Sequence, residues 1–319
     1  MSVSAAPNTI YTSQYSFDGT IQFCNTDKGF MVLDADTGTP IRVCSSIQNG
    51  RAACSDEEGI YYISYPLKNG NACIKCSMLH KDEDTTIQIP DRFVECAPII
   101  RNKQQIIVGT RHNIYTINPQ SSAMNSILCL HDEVIFAFDF FEDEICVISK
   151  KDPDSGVLYL AEIENDRLVN VRKLLLPLAF DAGTSRAQYY ETFIASVMFI
   201  DPGKVLLCIS NQRTLLNFIN FSDCSLIASK ELDLSLVYNL VFDSVTRELI
   251  LWGSHLDRQA LSMERWISFI DCDHLTSQSI RWPSSYIWSI SKAKRSGEIM
   301  VLDGEGQHVI QEPGLGPNE

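Results

Sequence analysis

The apolar residues of this chain fall into short runs of about five to eight, rich in Ile, Val, Phe and Tyr. Runs of this length, separated by turn signals, are typical of β-strands rather than of amphipathic helices. Asp-Gly at 18–19, Asn-Gly at 69–70 and Pro-Gly at 202–203 suit tight reversals between such strands. The clearest runs are residues 59–65, 105–110, 134–141, 157–163, 205–210, 248–252 and 298–302.

The runs repeat in groups of four, in which the second strand ends in small residues. First strands are predicted near Thr20, Gln48, Arg92, Val134, Phe193, Val237 and Tyr286. Their spacing of about 45 residues is typical of four-stranded propeller blades. We therefore predict an all-β fold, a β-propeller of about seven four-stranded blades. Residues 1–313 would form one domain, and residues 314–319 a short flexible C-terminal tail.

Ring closure raises a separate expectation, because the last blade supplies only three strands, near residues 286–291, 298–302 and 308–311. The fourth strand would come from the segment before Ser16, as a clasp that closes the ring, or it would be missing.

Two stretches carry a family resemblance. Residues 23–38, which end in Leu33-Asp34-Ala35-Asp36-Thr37-Gly38, resemble a quinoprotein-type (PQQ-like) propeller repeat, and residues 97–100 with 106–119 resemble a second copy. Residues 237–243 and 249–254 are more similar to a degenerate WD40-type blade. The chain lacks Trp-Asp and Gly-His pairs, the tryptophan docking motif and vicinal cysteines, so the resemblance implies the fold and no cofactor.

The net charge limits the classes of partner that the protein can bind. The formal net charge is -14 and the pI is about 4.9, which disfavours nucleic acid and anionic membrane surfaces. The basic clusters are short, at Lys292, Lys294 and Arg295 and at Lys150 and Lys151. We predict no nucleic-acid binding and no membrane insertion.

The cysteines bear on the compartment. There are 11 of them, an odd number, and several sit inside apolar runs, as Cys208 does. Free cysteines of this kind indicate a reducing compartment. Because residues 1–7 also lack a basic start and an apolar core, we predict a cytoplasmic or nuclear protein.

Candidate chemistry is sparse. Cys73 and Cys76 form the one CxxC, but on a strand they point to opposite faces and no second pair follows. Asp271, Asp273 and His274 are clustered donors, with the two aspartates expected on one strand face and His274 on the other. Nucleophile-elbow, phosphate-loop and dinucleotide motifs are absent. We predict no enzyme activity, no cofactor, no metal site, and a small-molecule ligand is not expected.

Three long loops are predicted instead, at residues 150–156, 176–191 and 254–264, the last containing a possible short helix at 256–261. Second-to-third and blade-to-blade loops leave a propeller on one face, so these loops would lie together around blades four to six. Tyr and Arg are enriched in interface hot spots. The predicted partner-binding residues are Phe180, Arg186, Tyr189, Tyr190, His255, Arg258 and Arg265.

The sequence thus favours a non-catalytic protein–protein interaction scaffold, a subunit of a larger assembly. Two alternatives stay open: an enzyme that uses the propeller channel, with a quinone or a metal, and a phosphoinositide-binding propeller. The second lacks the Phe-Arg-Arg-Gly signature of its family. For the tyrosines, the alternative is that they pack the loop onto its own blade.

The loop at 176–191 generates the first testable prediction. If Tyr189 and Tyr190 are hot spots, changing both to Ala costs about 2 kcal/mol of binding free energy, or roughly thirtyfold in affinity. The melting temperature should not change, because a rim loop contributes little to blade cores. Titration against the partner and a melting curve check both points. Lower stability with unchanged binding would identify the tyrosines as packing residues.

Overall fold

A computed structural model describes the backbone over most of the chain. The described residues are 10–15, 21–26, 29–34, 40–44, 53–55, 59–64, 71–78, 84–91, 100–102, 105–152, 155–177, 192–211, 213–257, 262–284, 287–292, 297–303 and 305–311. Every regular element among them is a β-strand, and every pairing is antiparallel. The predicted all-β class is confirmed.

The strands form seven sheets, numbered here in chain order. Sheet 1 contains β1 (Ile10–Tyr15), β2 (Ile21–Thr26), β3 (Gly29–Asp34) and β4 (Pro40–Cys44), and sheet 2 contains β5 (Ala53–Ser55), β6 (Gly59–Ser64), β7 (Cys73–Met78) and β8 (Asp84–Gln88). Sheet 3 contains β9 (Ile100–Asn102), β10 (Gln105–Gly109), β11 (Asn113–Ile117) and β12 (Met124–Cys129).

The later sheets have longer strands. Sheet 4 contains β13 (Val134–Phe141), β14 (Glu144–Asp152), β15 (Ser155–Glu164) and β16 (Arg167–Pro177). Sheet 5 contains β17 (Thr192–Asp201), β18 (Lys204–Asn211), β19 (Arg213–Asn220) and β20 (Leu226–Leu232). Sheet 6 contains β21 (Leu236–Asp243), β22 (Glu248–Asp257), β23 (Ser262–Asp271) and β24 (Ser277–Trp282). Sheet 7 contains β25 (Ile287–Lys292), β26 (Ile299–Asp303) and β27 (Gly306–Ile310).

The chain divides into two compact units. The first unit joins Met1–Ile89 to Trp282–Glu319, and within it β1 of sheet 1 contacts β25 of sheet 7. The second unit is Pro90–Arg281, and within it the first strands of sheets 4, 5 and 6 contact each other in succession, β13 with β17 and β17 with β21. Consecutive sheets of the second unit are therefore neighbours through their first strands.

The core of the second unit lies between these sheets. Consecutive residues of β14, Ile145, Cys146, Val147 and Ile148, are all buried, so this strand is covered on both faces. Fourth strands differ: β20 and β24 alternate exposed and half-buried positions. One apolar cluster joins sheets 4 and 5 through residues such as Leu158 and Phe199, and another joins sheets 5 and 6.

Polar contacts supplement this packing. The Phe199 N–H on β17 donates to Oδ2 of Asp139 on β13, at 2.7 Å, and the Gly203 N–H donates to Glu144 at 3.3 Å. Each bond joins sheet 4 to sheet 5. A backbone N–H of one first strand is thus satisfied by the side chain of another.

A turn repeats after the third strands of sheets 3, 5 and 6. In each, an Asn or Asp at the strand end accepts hydrogen bonds from backbone N–H groups two or three residues later, at Asn118, Asn220 and Asp271. Four residues after each lies a left-handed residue: Ser122 (φ 56°), Cys224 (φ 59°) and Leu275 (φ 56°).

A β-bulge repeats in the first strands. Sheets 1, 4, 5, 6 and 7 each contain one extra residue near the start of that strand, opposite the end of the second strand. The bulged residues are Tyr11, Phe136, Ala195, Tyr238 and Trp288. Bulges that recur at one register mark a repeated structural unit rather than local defects.

The predicted strand phase holds for the later sheets and is wrong for the first. First strands begin at Val134, Thr192, Leu236 and Ile287, within one residue of prediction, whereas those of sheets 2 and 3 begin at Ala53 and Ile100. The strand predicted near Thr20 is the second strand of sheet 1, because the polar segment Ile10–Tyr15 precedes it and pairs with β2. That pairing places residues 10–15 in sheet 1 rather than in sheet 7. Residues 1–9 lie outside the described part of the chain, so a clasp formed by them stays a prediction. Sheet 7 has three strands within the described residues.

Burial of Asp139 generates a pH prediction. Desolvation raises its pKa to about 6, so the unfolded chain loses this proton near pH 4 and the folded chain only near pH 6. Stability therefore falls between these values, by about 1–3 kcal/mol, and the loss persists above pH 6. Asp139→Asn keeps an acceptor for the Phe199 N–H and removes the charge.

We expect the Asn variant to melt higher than the wild type at pH 7, with the difference shrinking towards pH 4. Thermal unfolding across this range measures it. A difference that does not vary with pH would contradict a raised pKa at Asp139.

Candidate functional site

In sheets 4, 5 and 6, the hairpin turn that joins the second strand to the third lies at one end of the second unit, because strands in each sheet alternate in direction. The fourth strand of each sheet also ends here and the next first strand begins here. We call this the hairpin end. It is where all three predicted loops would lie.

The first predicted loop, residues 150–156, is wrong. β14 continues to Asp152 and β15 begins at Ser155, and these two residues pair. The polar Lys-Lys-Asp-Pro-Asp-Ser composition suggested a loop, but backbone pairing with a neighbouring strand does not require apolar side chains. The second and third strands of sheet 4 therefore form an extended hairpin.

The third predicted loop is likewise mostly strand. β22 continues to Asp257 and β23 begins at Ser262, with Leu256 opposite Met263 and Asp257 opposite Ser262. The short helix predicted for 256–261 is therefore wrong at its first two residues. Residues 258–261, which include Arg258, lie outside the described part of the chain.

The second predicted loop was expected to begin at Leu176. Leu176 belongs to β16 and is buried in the core between sheets 4 and 5. Residues 178–191 lie outside the described residues, and with them Phe180, Arg186, Tyr189 and Tyr190. Their role as partner contacts stays a prediction.

A layer of buried hydroxyl groups underlies the hairpin end. In the second strands of the second unit, the buried part ends at a buried Ser or Thr: Thr110, Ser149, Ser210 and Ser254. Small residues were predicted at the strand ends themselves, whereas β14 and β22 continue beyond them to Asp152 and Asp257. Buried hydroxyls need partners, and carboxylates that precede the first strands supply them in sheets 3 and 4.

Those carboxylates are Asp91 and Glu133. Asp91 accepts from Thr110 at 2.7 Å and from the Tyr115 hydroxyl at 3.1 Å. Glu133 accepts from Ser149 and, at 2.8 Å, from the Tyr159 hydroxyl. Burial raises the pKa of both tyrosines to about 12. Both phenols therefore remain hydrogen-bond donors, and the bonds to Glu133 hold the chain directly before β13 begins.

Two aromatic rings are exposed on top of this layer. Phe136 and Tyr238, the bulged residues of sheets 4 and 6, are 38% and 41% exposed. Lys150 Nζ lies over the Phe136 ring, 5.9 Å from its centroid, and the Arg265 guanidinium lies over the Tyr238 ring at 5.3 Å. The same pair of groups, an exposed ring and a cation over its face, thus occurs in two sheets.

Tyr238 is held by its own sheet. Its hydroxyl donates to Ser254 Oγ at 3.2 Å, and a Cβ atom at Gly253 would lie 2.0 Å from the Leu236 carbonyl oxygen. Glycine at 253 therefore permits β21 to approach β22 where the bulge forms. The ring is positioned by a close backbone contact.

Sheet 5 is shorter at this end. Beyond the residue that faces the start of the bulge (Ser149, Ile209 or Gly253), β14 continues for three residues, β18 for two and β22 for four. At about 3.3 Å per residue, the hairpin of sheet 4 extends roughly 3 Å further than the hairpin of sheet 5, and that of sheet 6 roughly 7 Å further. Ala195, the bulged residue of sheet 5, stands at the register position of the two aromatics.

His255 and Arg265, two of the predicted partner residues, do lie at this end. Arg265 is the cation over Tyr238 and pairs across the strands with Ser254. His255 Nδ1 lies 3.6 Å from Asp233 in the connection that enters sheet 6. The structure therefore brings Arg265 and His255 together at the ends of one hairpin.

The opposite end of the second unit is acidic. A cavity of about 280 Å³ there is lined by Phe141, Ile163 and Pro202 together with Glu142, Asp143, Glu144, Glu162 and Glu164. Nearby, Arg247 donates to both carboxylate oxygens of Asp201 at 2.6 Å and to Asp273 at 3.2 Å. The two bonds to Asp201 join sheet 5 to sheet 6.

The clustered donors Asp271 and His274 belong to a turn at this acidic end, not to opposite faces of a strand. The N–H groups of Asp273 and His274 donate to Asp271, and the His274 ring lies 2.8 Å from it. The His274 N–H leads the interactions that lower the pKa of Asp271. In the part of the chain that the structure describes, no group of three or more His, Cys, Asp and Glu residues could hold a metal ion.

Cys73 and Cys76 lie on β7, opposite Ser64 and Tyr61. The Cys73 side chain is buried, and that the two thiols face opposite sides of the sheet stays a prediction. Among the cysteines whose side chains are described, at 73, 129, 146, 208, 224 and 272, none forms a disulfide.

Comparison with known protein families and with curated proteins finds no match for the chain. Among the described residues, no helix is long and apolar enough to cross a membrane. What the structure defines is an all-β protein of small antiparallel sheets, with a repeated bulge and turn.

The two exposed aromatics were missed by the sequence reasoning, although a signal exists. An aliphatic residue followed by an aromatic one begins four of the bulged strands: Ile10-Tyr11, Ile135-Phe136, Val237-Tyr238 and Ile287-Trp288. Aligning the repeats by their first strands would have brought these residues into one column.

The close contact at Gly253 leads to a stability prediction. Gly253→Ala forces a methyl group against the Leu236 carbonyl, so β21 must move, at a cost of about 1–3 kcal/mol of unfolding free energy. A denaturant titration measures the loss. Val245→Ala, at a 78% exposed turn residue of the same sheet, is the control and should be neutral. Equal stability of the two variants would show that the bulge does not depend on glycine.

Proposed function

We propose that this chain is a non-catalytic protein–protein interaction scaffold, in which the seven sheets are blades of one β-propeller. On this proposal the hairpin end of sheets 4, 5 and 6 binds another protein subunit. The observation that carries it is the pair of exposed bulge aromatics, Phe136 and Tyr238, each with a cation over its ring.

Several features support the propeller arrangement. The bulge recurs at one register in sheets 1, 4, 5, 6 and 7, as expected for blades with equivalent first strands. First strands contact first strands within the second unit, and β1 contacts β25 within the first unit. The latter contact joins the first sheet to the last, which a closed ring requires.

The aromatics support the binding role. Large exposed aromatic rings are costly in water, and Tyr in particular is enriched among interface hot spots. Phe136 and Tyr238 are held by a bulge, and the Tyr238 hydroxyl donates to Ser254. Side chains that are already ordered lose little entropy on binding, which favours affinity.

The cysteines support the proposed compartment, the cytoplasm or nucleus. Cys146, Cys208 and Cys272 are free and buried, and burial raises the pKa of each thiol. Such thiols are protonated and unreactive core residues. Core cysteines of this kind suit a compartment that keeps thiols reduced.

Affinity capture with two paired variants tests the binding role. Phe136→Ala with Tyr238→Ala should reduce specifically captured protein at least tenfold relative to the wild type, because both rings are lost. The control, Leu226→Ala with Val245→Ala, removes two side chains that are 61% and 78% exposed elsewhere. It should capture normally. Quantitative mass spectrometry compares the three samples.

Tyr238→Phe separates the ring from its hydroxyl and should retain capture. Melting curves show whether each variant is folded. If the double Ala variant is folded and captures the same proteins in the same amounts, the hairpin end is not the interface.

A further inference from the structure

The chemistry of the partner can be inferred from the surroundings of the two rings, on the basis of the proposed function. We propose that the hairpin end of sheets 4, 5 and 6 binds an acidic, partly apolar peptide segment of the partner protein. Its carboxylates would lie against Lys150 and Arg265, and its apolar side chains against Phe136 and Tyr238.

The cations over the two rings determine which charge a ligand can carry there. An aromatic ring is negative on its face and positive at its edge. Cations lie over Phe136 and Tyr238, at 5.9 and 5.3 Å from the ring centroids. What such a pair presents to a ligand is a cation and a positive ring edge. A second cation is disfavoured there, whereas a carboxylate beside the ring is favoured.

Each of the three sheets has a cation at the hairpin end: Lys150 on sheet 4, Arg213 at the start of β19 on sheet 5, and Arg265 on sheet 6. Acidic groups lie there as well, because Arg213 is paired with Glu231 and the 86% exposed Asp233 lies beside His255. The cations placed against the two rings are Lys150 and Arg265, and these are the groups that a carboxylate of the partner would reach.

The other end of the same sheets differs in charge. Five carboxylates, those of Glu142, Asp143, Glu144, Glu162 and Glu164, line the cavity there. An acidic segment is repelled from that end. Charge of this kind fixes the orientation of a partner more than its affinity.

The three hairpins also differ in length. Those of sheets 4 and 6 extend roughly 3 Å and roughly 7 Å beyond that of sheet 5, at about 3.3 Å per residue. The bulged position of sheet 5 is Ala195, while those of the flanking sheets are aromatic. A partner that binds here must fit onto a short sheet between two longer ones. A narrow extended segment fits such a place better than a partner with a broad surface.

A random 12-residue peptide library displayed on phage, selected against the full-length protein, provides the probe. We expect the enriched peptides to carry net negative charge together with aromatic or large aliphatic residues. A synthetic copy of the most enriched peptide should bind the Phe136→Ala/Tyr238→Ala variant at least tenfold more weakly than the wild type.

Charge reversal gives the decisive comparison. Lys150→Glu with Arg265→Glu should bind the peptide at least tenfold more weakly and should bind a copy with lysines in place of its carboxylates more tightly than the wild type does. The control, Arg167→Glu with Lys204→Glu, changes the net charge equally at the opposite end, where Lys204 also lies over a ring. It should bind the acidic peptide as the wild type does, apart from a small salt-dependent loss.

The results that would overturn the acidic segment are as follows. Enrichment of basic or uncharged peptides, or equal losses in the two charge-reversed proteins, overturns the acidic segment. Retention of phosphoinositide-containing vesicles with no acidic peptide enriched would assign the site to a lipid headgroup and overturns it too. If the double Ala variant loses protein capture while the Lys150 and Arg265 reversal captures normally, the scaffold function stands and only the acidic segment fails.

Discussion

A four-stranded antiparallel sheet has two faces, and the second strands of sheets 4, 5 and 6 are buried on both. In β14, five consecutive residues from Ile145 to Ser149 are buried, so sheet 4 cannot cover its own core. These sheets depend on their neighbours, through the clusters that join sheet 4 to sheet 5 and sheet 5 to sheet 6. This mutual dependence is typical of repeat architectures, in which stability comes from stacked interfaces.

The packing of sheet against sheet also determines which residues are exposed at the ends of the first strands. First strands must lie close enough for a backbone N–H of one, at Phe199, to reach a carboxylate of the next, at Asp139. In sheets 4 and 6 the bulge near the start of the first strand adds one residue without disturbing that packing. Phe136 and Tyr238 are exposed for this reason, in positions that the core does not need.

The buried hydroxyls connect the core to the surface. Ser149 and Ser254 end the apolar part of their strands, and beyond them β14 and β22 continue as hairpins rich in charged residues. Glu133 accepts from Ser149 and Tyr159 just before β13 begins, so the same contacts that cap the core also set the entry of the strand that carries Phe136. The proposed binding surface is thus supported directly by buried polar groups.

Local patterns in the sequence determined the class of structure. Apolar runs of strand length, Asp, Asn and Gly at the turns, and small residues at the ends of second strands all reflect rules that act within a few residues. They therefore predicted the strands of sheets 4 to 7 closely. The turn at Asp271 also follows such a rule, since its carboxylate bonds to N–H groups two and three residues away.

Only the tertiary structure decided which polar segments are strands. Ile10–Tyr15, and the hairpin residues Lys150–Asp152, carry little apolar signal, yet they pair because a neighbouring strand offers free backbone groups. Backbone hydrogen bonds are the same for every side chain, so composition does not reveal them. The exposure of Phe136 and Tyr238 was hidden for the same reason: whether an aromatic residue is core or surface depends on a bulge that only strand pairing defines.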